Sequence, residues 1–173
     1  LSGTTLVEPA QKAWADVTRS TLQAMSHDAS SDANTSVHHC RAKLIYTSDV
    51  FVEQALYASE LIARTTLDDG SRVIITYDEI VASNLGPPVP TEKPLQQTFE
   101  MVSNAYADDQ YCLVLLELAI PPLQDSSKRV NGLAYECGMC THNKNVALID
   151  TYMDDAMTFS VIMHEVGHLL CAG

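Results

Sequence analysis

Thr158-Phe159-Ser160-Val161-Ile162-Met163-His164-Glu165-Val166-Gly167-His168 is an apolar run ending in an H-E-x-x-H motif. On a helix, residues i and i+4 share a face, so His164 and His168 point the same way. Two neutral imidazoles at that spacing are a zinc-binding arrangement. Glu165 follows the first ligand and projects beside the metal, where it can take a proton from a zinc-activated water and pass it to a leaving amine. The plain alternative is an amphipathic helix that happens to carry two histidines. Three specified residues at fixed spacing on an apolar helix favour the metal. The segment therefore predicts an active-site helix at the C-terminal end of the sequence.

Around it, the composition describes a globular chain. The 173 residues are 46% hydrophobic, enough for one domain with a core. The apolar run Tyr111 to Ile120 is broken by Glu117 and is too short to span a bilayer. Twenty-two acidic against ten basic residues give a net charge of −12. That balance argues against nucleic acid or an anionic membrane as partner. It fits a secreted protein, and the sequon Asn34-Thr35-Ser36 supports an extracellular location. The sequence begins at Leu1 without a signal peptide, which reads as a mature or partial chain. The five cysteines are Cys40, Cys112, Cys137, Cys140 and Cys171; an odd number leaves at least one without a partner inside the sequence.

Periodicity orders the elements. Residues 8–25 predict a helix, with Ala10, Ala13, Trp14 and Val17 at helical spacing. Residues 26–39 read as a polar loop; His38-His39-Cys40 at its end is either a metal tract or, on the blander reading, a loop ending in a disulfide cysteine. Lys43 to Thr47 predicts a strand. Phe51 to Thr66 predicts a helix with Val52, Ala55, Leu56, Ser59 and Ile62 inward and Ser48 or Asp49 as N-cap. Arg72 to Val81 is a second strand, and Leu95 to Tyr106 a further helix. Tyr111 to Leu118 is continuously apolar, as in a strand buried on both faces. Asn131 to Tyr135 and Val146 to Asp150 complete the strands. The order implies an α/β fold: a mixed, mainly parallel twisted sheet with helices packed on it.

The block Gly132-Leu133-Ala134-Tyr135 running into Gly138-Met139-Cys140, then the strand 146–150, then the H-E-x-x-H helix, narrows this further. It resembles the reprolysins, the adamalysin/ADAM-type metzincin zinc metalloproteases found in snake venoms, ADAM proteins and tick saliva. The resemblance covers roughly residues 42–173, as the N-terminal subdomain of a metalloprotease catalytic domain. Residues 1–41 fall outside it as an N-terminal helix and linker, with a propeptide remnant as one reading. The resemblance implies Zn²⁺ as cofactor, His164 and His168 as its first two ligands, and Glu165 as general base. It places a third histidine just after Gly173, and a floor and small C-terminal subdomain beyond that, so the sequence is expected to be truncated before them. It implies that Gly132, Leu133, Ala134 and Tyr135 form the edge strand on which a substrate peptide lies antiparallel. The plain reading of those four residues is an ordinary sheet strand. It further implies that Cys140 bonds to the C-terminal subdomain.

There are departures from the family pattern. Cys171 replaces a glycine that lets the chain leave the helix, and Cys137 stands where a small residue is usual. A Cys137–Cys171 disulfide across the cleft is one hypothesis; a Cys137–Cys140 bridge or zinc knuckle is the other, and the latter lacks a second C-x-x-C. Lys43 stands where many members carry an acidic calcium ligand, which disfavours calcium. His142 reads as a solvated loop residue.

Three functions follow. The first is a secreted zinc endopeptidase that hydrolyses peptide bonds in proteins. The second is an inactive or truncated relative that binds a protein partner, favoured by Cys171 and the missing third ligand. The third is another zincin with a downstream Glu ligand, disfavoured by the Gly-Met-Cys block. The partner is a protein or peptide in each case, and oligomeric state is left open.

Overall fold

The computed structural model describes residues 37–66, 70–83, 94–120, 130–151 and 153–170. The helix expected over 8–25, the sequon and Cys171 lie outside these residues. Within them the order is β1 (Val37–Tyr46), α1 (Asp49–Arg64), β2 (Arg72–Ala82), α2 (Leu95–Tyr106), β3 (Leu113–Glu117), β4 (Gly132–Ala134), β5 (Val146–Ile149) and α3 (Asp155–Leu169). The strands form one sheet in the order β2-β1-β3-β5-β4. The β1–β2, β1–β3 and β3–β5 pairs are parallel, and β4 runs antiparallel to β5 at the edge. This is the mixed, mainly parallel α/β architecture that the element order implied.

Strand alternation divides the core in two. Leu113 and Leu115 of β3, with Ala42 and Leu44 of β1 and Ala147 and Ile149 of β5, face α1 and α3. Val114 and Leu116, with Ile45, Val146 and Leu148, face α2 through Phe99 and Val102. Both sides of β3 and β5 are thus covered, which is why those strands are apolar at every position.

Several expectations are corrected. β1 begins at Val37, so His38-His39-Cys40 is strand rather than loop. Its two imidazoles are exposed while Cys40 points into the core as a free thiol, neither metal tract nor disulfide cysteine. On α1 the inner face is Phe51, Gln54, Ala55, Ala58, Ser59, Leu61 and Ile62; Leu56 faces solvent. Cys140 bonds to Cys112 at the start of β3, within this domain and not to a further subdomain. That bond also removes the Cys137–Cys140 alternative. Cys137 is itself disulfide-bonded; Cys171, the partner expected for it, lies outside the described residues.

The buried carboxylate of Glu117 organises the junction between β3 and α1. Its Oε1 accepts hydrogen bonds from Thr47 N, Thr47 Oγ1 and Ser48 N, each at 2.8 Å, and Ser48 Oγ donates to Oε2 at 2.9 Å. Ser48 is the α1 N-cap residue, yet its hydroxyl is spent on Glu117 and makes no cap bond. The anion itself stands at the positive end of the helix.

Candidate metal centre

Helix α3 is fixed at both ends before any ligand is considered. At its start, Asp154 caps the helix by accepting from Met157 N at 2.8 Å. Phe159, Ile162, Met163, Val166 and Leu169 are at most 1% exposed, and burial of each contributes about 1.5–3 kcal/mol. Tyr57 packs on Phe159 with ring centroids 5.1 Å apart, and Gln54 donates to Asp155 across α1 and α3 at 2.8 Å. At the other end, the last carbonyls have no partner in the helix. Cys137 N donates to the His168 carbonyl at 2.9 Å and Met139 N to that of Leu169 at 3.1 Å. The turn after β4 therefore closes the helix.

That turn requires a left-handed backbone at Cys137, whose φ is 56°. Its compactness explains Gly138: a Cβ there would lie 2.0 Å from the Lys144 carbonyl oxygen.

The apolar face of α3 leaves His164 and His168 on one side, as the i, i+4 spacing requires. Their Nε2 atoms converge to 2.8 Å, with the rings nearly perpendicular at 88°. Ligand atoms of His164, Glu165 and His168 all fall within 4.8 Å of one another. His168 Nδ1 hydrogen-bonds Glu136 Oε1 at 2.5 Å. A carboxylate only accepts, so this bond sets the proton on Nδ1 and makes Nε2 the acceptor in its 2.8 Å contact with His164 Nε2, a lone pair that a cation could take instead. Burial, and next the neighbouring His168, lower the pKa of His164, which keeps its imidazole neutral.

Glu165 is 5% exposed and its Oε2 has no hydrogen-bond partner among the described residues. Burial, reinforced by the Glu136 charge, pushes its carboxyl up to about 8. A cation beside it would stabilise the ionised form and draw that value back down. β4 lies directly over this side chain at Gly132. The donor set, two convergent imidazole nitrogens with an unpartnered buried carboxyl oxygen beside them, fits a borderline divalent ion such as zinc.

The structure thus brings His164, Glu165 and His168 together, and sets β4, with Gly132, Leu133 and Ala134, beside them at the sheet edge. Tyr135 follows that strand and packs on Phe99 at 4.9 Å. His142 is elsewhere, exposed and paired with Asp109 at 2.6 Å. Glu136 was not anticipated; an acidic residue directly after the edge strand was the available signal.

The family model described as "Metallo-peptidase family M12B Reprolysin-like" matches residues 57–173. No curated protein matches the chain significantly. Among solved structures, one described as "Structure of a chaperone-substrate complex" contains a similar chain, with a TM-score of 0.55 and 12% identity. The match covers 76% of this chain and 26% of that one, so this chain spans about a quarter of its length. At that identity the likeness is one of fold alone.

Proposed function

Because the chain belongs to the reprolysin-like M12B metallopeptidases, we propose that it is a zinc-dependent endopeptidase acting on extended protein or peptide segments. The observation that carries the proposal is the convergence of His164, Glu165 and His168 next to the sheet edge formed by β4. His164 and His168 would hold the ion through Nε2. Zinc, when bound, polarises a carbonyl and makes water a stronger acid. Glu165 takes the proton of the attacking water and hands it to the leaving amine. Its burial beside β4 keeps the carboxylate from competing solvent.

Among the described residues, β4 is paired on one side only, at the end of the sheet. A substrate segment adds to its outer edge as an antiparallel strand, with main-chain hydrogen bonds giving affinity independent of sequence. Gly132, Leu133 and Ala134 form that edge, and Tyr135 follows it. Reprolysin-like proteins are commonly extracellular, and among the described residues no helix is long and apolar enough to cross a membrane. The Cys112–Cys140 disulfide supports secretion into an oxidising compartment.

The test compares metal content and casein cleavage for the wild type and Glu165→Ala, with and without a chelator. Stoichiometric zinc, chelator-sensitive cleavage in the wild type and none in the variant are expected. A wild type without chelator-sensitive cleavage overturns the peptidase reading.

A further inference from the structure

The turn after β4 meets the end of α3 through side chain and main chain at successive residues. Glu136 Oε1 accepts from His168 Nδ1, and Cys137 N donates to the carbonyl of the same histidine. Met139 N adds a third bond one residue further along the helix. The turn cannot drift, because Gly138 is packed against the Lys144 carbonyl and Cys137 is disulfide-bonded. A glutamate on such a turn keeps its carboxylate in register with the ring it faces.

We infer that Glu136 is a positioning residue, which holds His168 in the Nδ1–H tautomer so that Nε2 presents its lone pair to the point shared with His164 and Glu165. The inference rests on the metallopeptidase reading for its purpose, though the hydrogen bond itself does not. An imidazole with an unpaired Nδ1 divides between two tautomers and can turn about its Cβ–Cγ bond. An ionised partner removes both freedoms and makes Nε2 the more basic nitrogen, which strengthens it as a ligand. Half of the Glu136 side chain is open to solvent, so a substitution there removes the partner without opening the core.

The experiment has a metal-free arm and a metal arm. In the first, long-range ¹H–¹⁵N spectra of metal-free protein at about pH 8, above the ordinary imidazole pKa, report the His168 tautomer. The wild type is expected to show the Nδ1–H form alone. Glu136→Gln, whose amide oxygen still accepts, keeps it, and Glu136→Ala moves to averaged shifts. Identical His168 spectra for wild type and Glu136→Ala overturn the inference. In the second arm, chelator competition measures zinc affinity. Glu136→Ala is expected to bind about 10–100-fold more weakly, with Glu136→Gln between it and the wild type. Equal zinc affinity for all three proteins overturns the inference. If Glu136→Ala does not fold, Glu136→Gln carries this arm alone, and affinity equal to wild type again overturns the inference. A wild type that binds no zinc, while its His168 tautomer still follows residue 136, refutes the metallopeptidase reading and supports the orienting bond.

Discussion

Gly132 on β4 and Glu165 on α3 approach so closely that a Cβ on the glycine would stand 2.7 Å from Glu165 Cγ, and equally near Val161 Cγ1. The contact explains how an edge strand can reach a buried carboxyl: the strand has no side chain at the crossing. Gly132→Ala must therefore move either the strand or Glu165. Overpacking of this kind costs about 1–3 kcal/mol, and if Glu165 is the base proposed above, misplacing it by about 1 Å costs on the order of 100-fold in rate. Denaturant unfolding together with kcat/KM on a peptide substrate would reveal both losses. A variant with wild-type values in both would show that the crossing has slack.

The Cys112–Cys140 bond closes a loop with a sequence separation of 28 residues that contains β3 and β4. Constraining the unfolded chain over that length is worth about 3–4 kcal/mol. Replacing both cysteines by alanine should lower the unfolding free energy by that amount in urea. A loss well under about 1 kcal/mol would mean that the loop is already ordered in the unfolded ensemble.

Cys40 gives a pH dependence that can be isolated. Burial pushes its thiol up to about 12, against 9.0 for the free group. The folded state thus favours the protonated form. Its contribution to stability is complete below about pH 9 and is lost as pH rises from 9 towards 12, by at most about 1.4 kcal/mol per pH unit. The stability difference between wild type and Cys40→Ala should shrink over that window, and a thiol reagent at pH 8 should not label the native protein. A difference constant from pH 7 to 11 would sink the assignment.

Glu117 supplies the acceptor for two backbone N–H groups and two hydroxyls at the start of α1. Glu117→Ala removes the acceptor that these donors share, and hydrogen bonds to a charged acceptor contribute about 1.5–3 kcal/mol. A destabilisation of about 3 kcal/mol or more is expected from thermal or urea unfolding, with loss of helical signal. A shift under about 1 kcal/mol would mean that water replaces the carboxylate.

Most of the scaffold was legible because its signals are local. β3 is buried on both faces, so Leu113-Val114-Leu115-Leu116 announces itself. The α3 motif is legible because one helix fixes the relation of its histidines. β1 was read too short because Val37, His38 and His39 gain their strand conformation from pairing with Arg72, Val73 and Ile74, which side-chain polarity does not report. Leu56 was placed inward on helical spacing, whereas α1 rotates Phe51, Ala58 and Leu61 into the core. The partner of Cys140 was beyond reach because it depends on β3 and the turn after β4 meeting in space. Glu136 enters the site for a similar reason: a left-handed residue at Cys137, a conformation that a non-glycine sequence does not advertise, turns the chain back onto α3.

The turn at residues 137–139 has a second attachment. On one side it grips the last carbonyls of α3, and on the other it continues into Cys140, bonded to Cys112 at the root of the central strand. This sulfur–sulfur bond, beside the one that Cys137 makes, thereby lies in series with the hold on the histidine-bearing helix. The surroundings of the protein can act on this linkage from outside the histidine pair: a reducing milieu would slacken the anchorage of His168 while leaving the sheet's own hydrogen bonds in place.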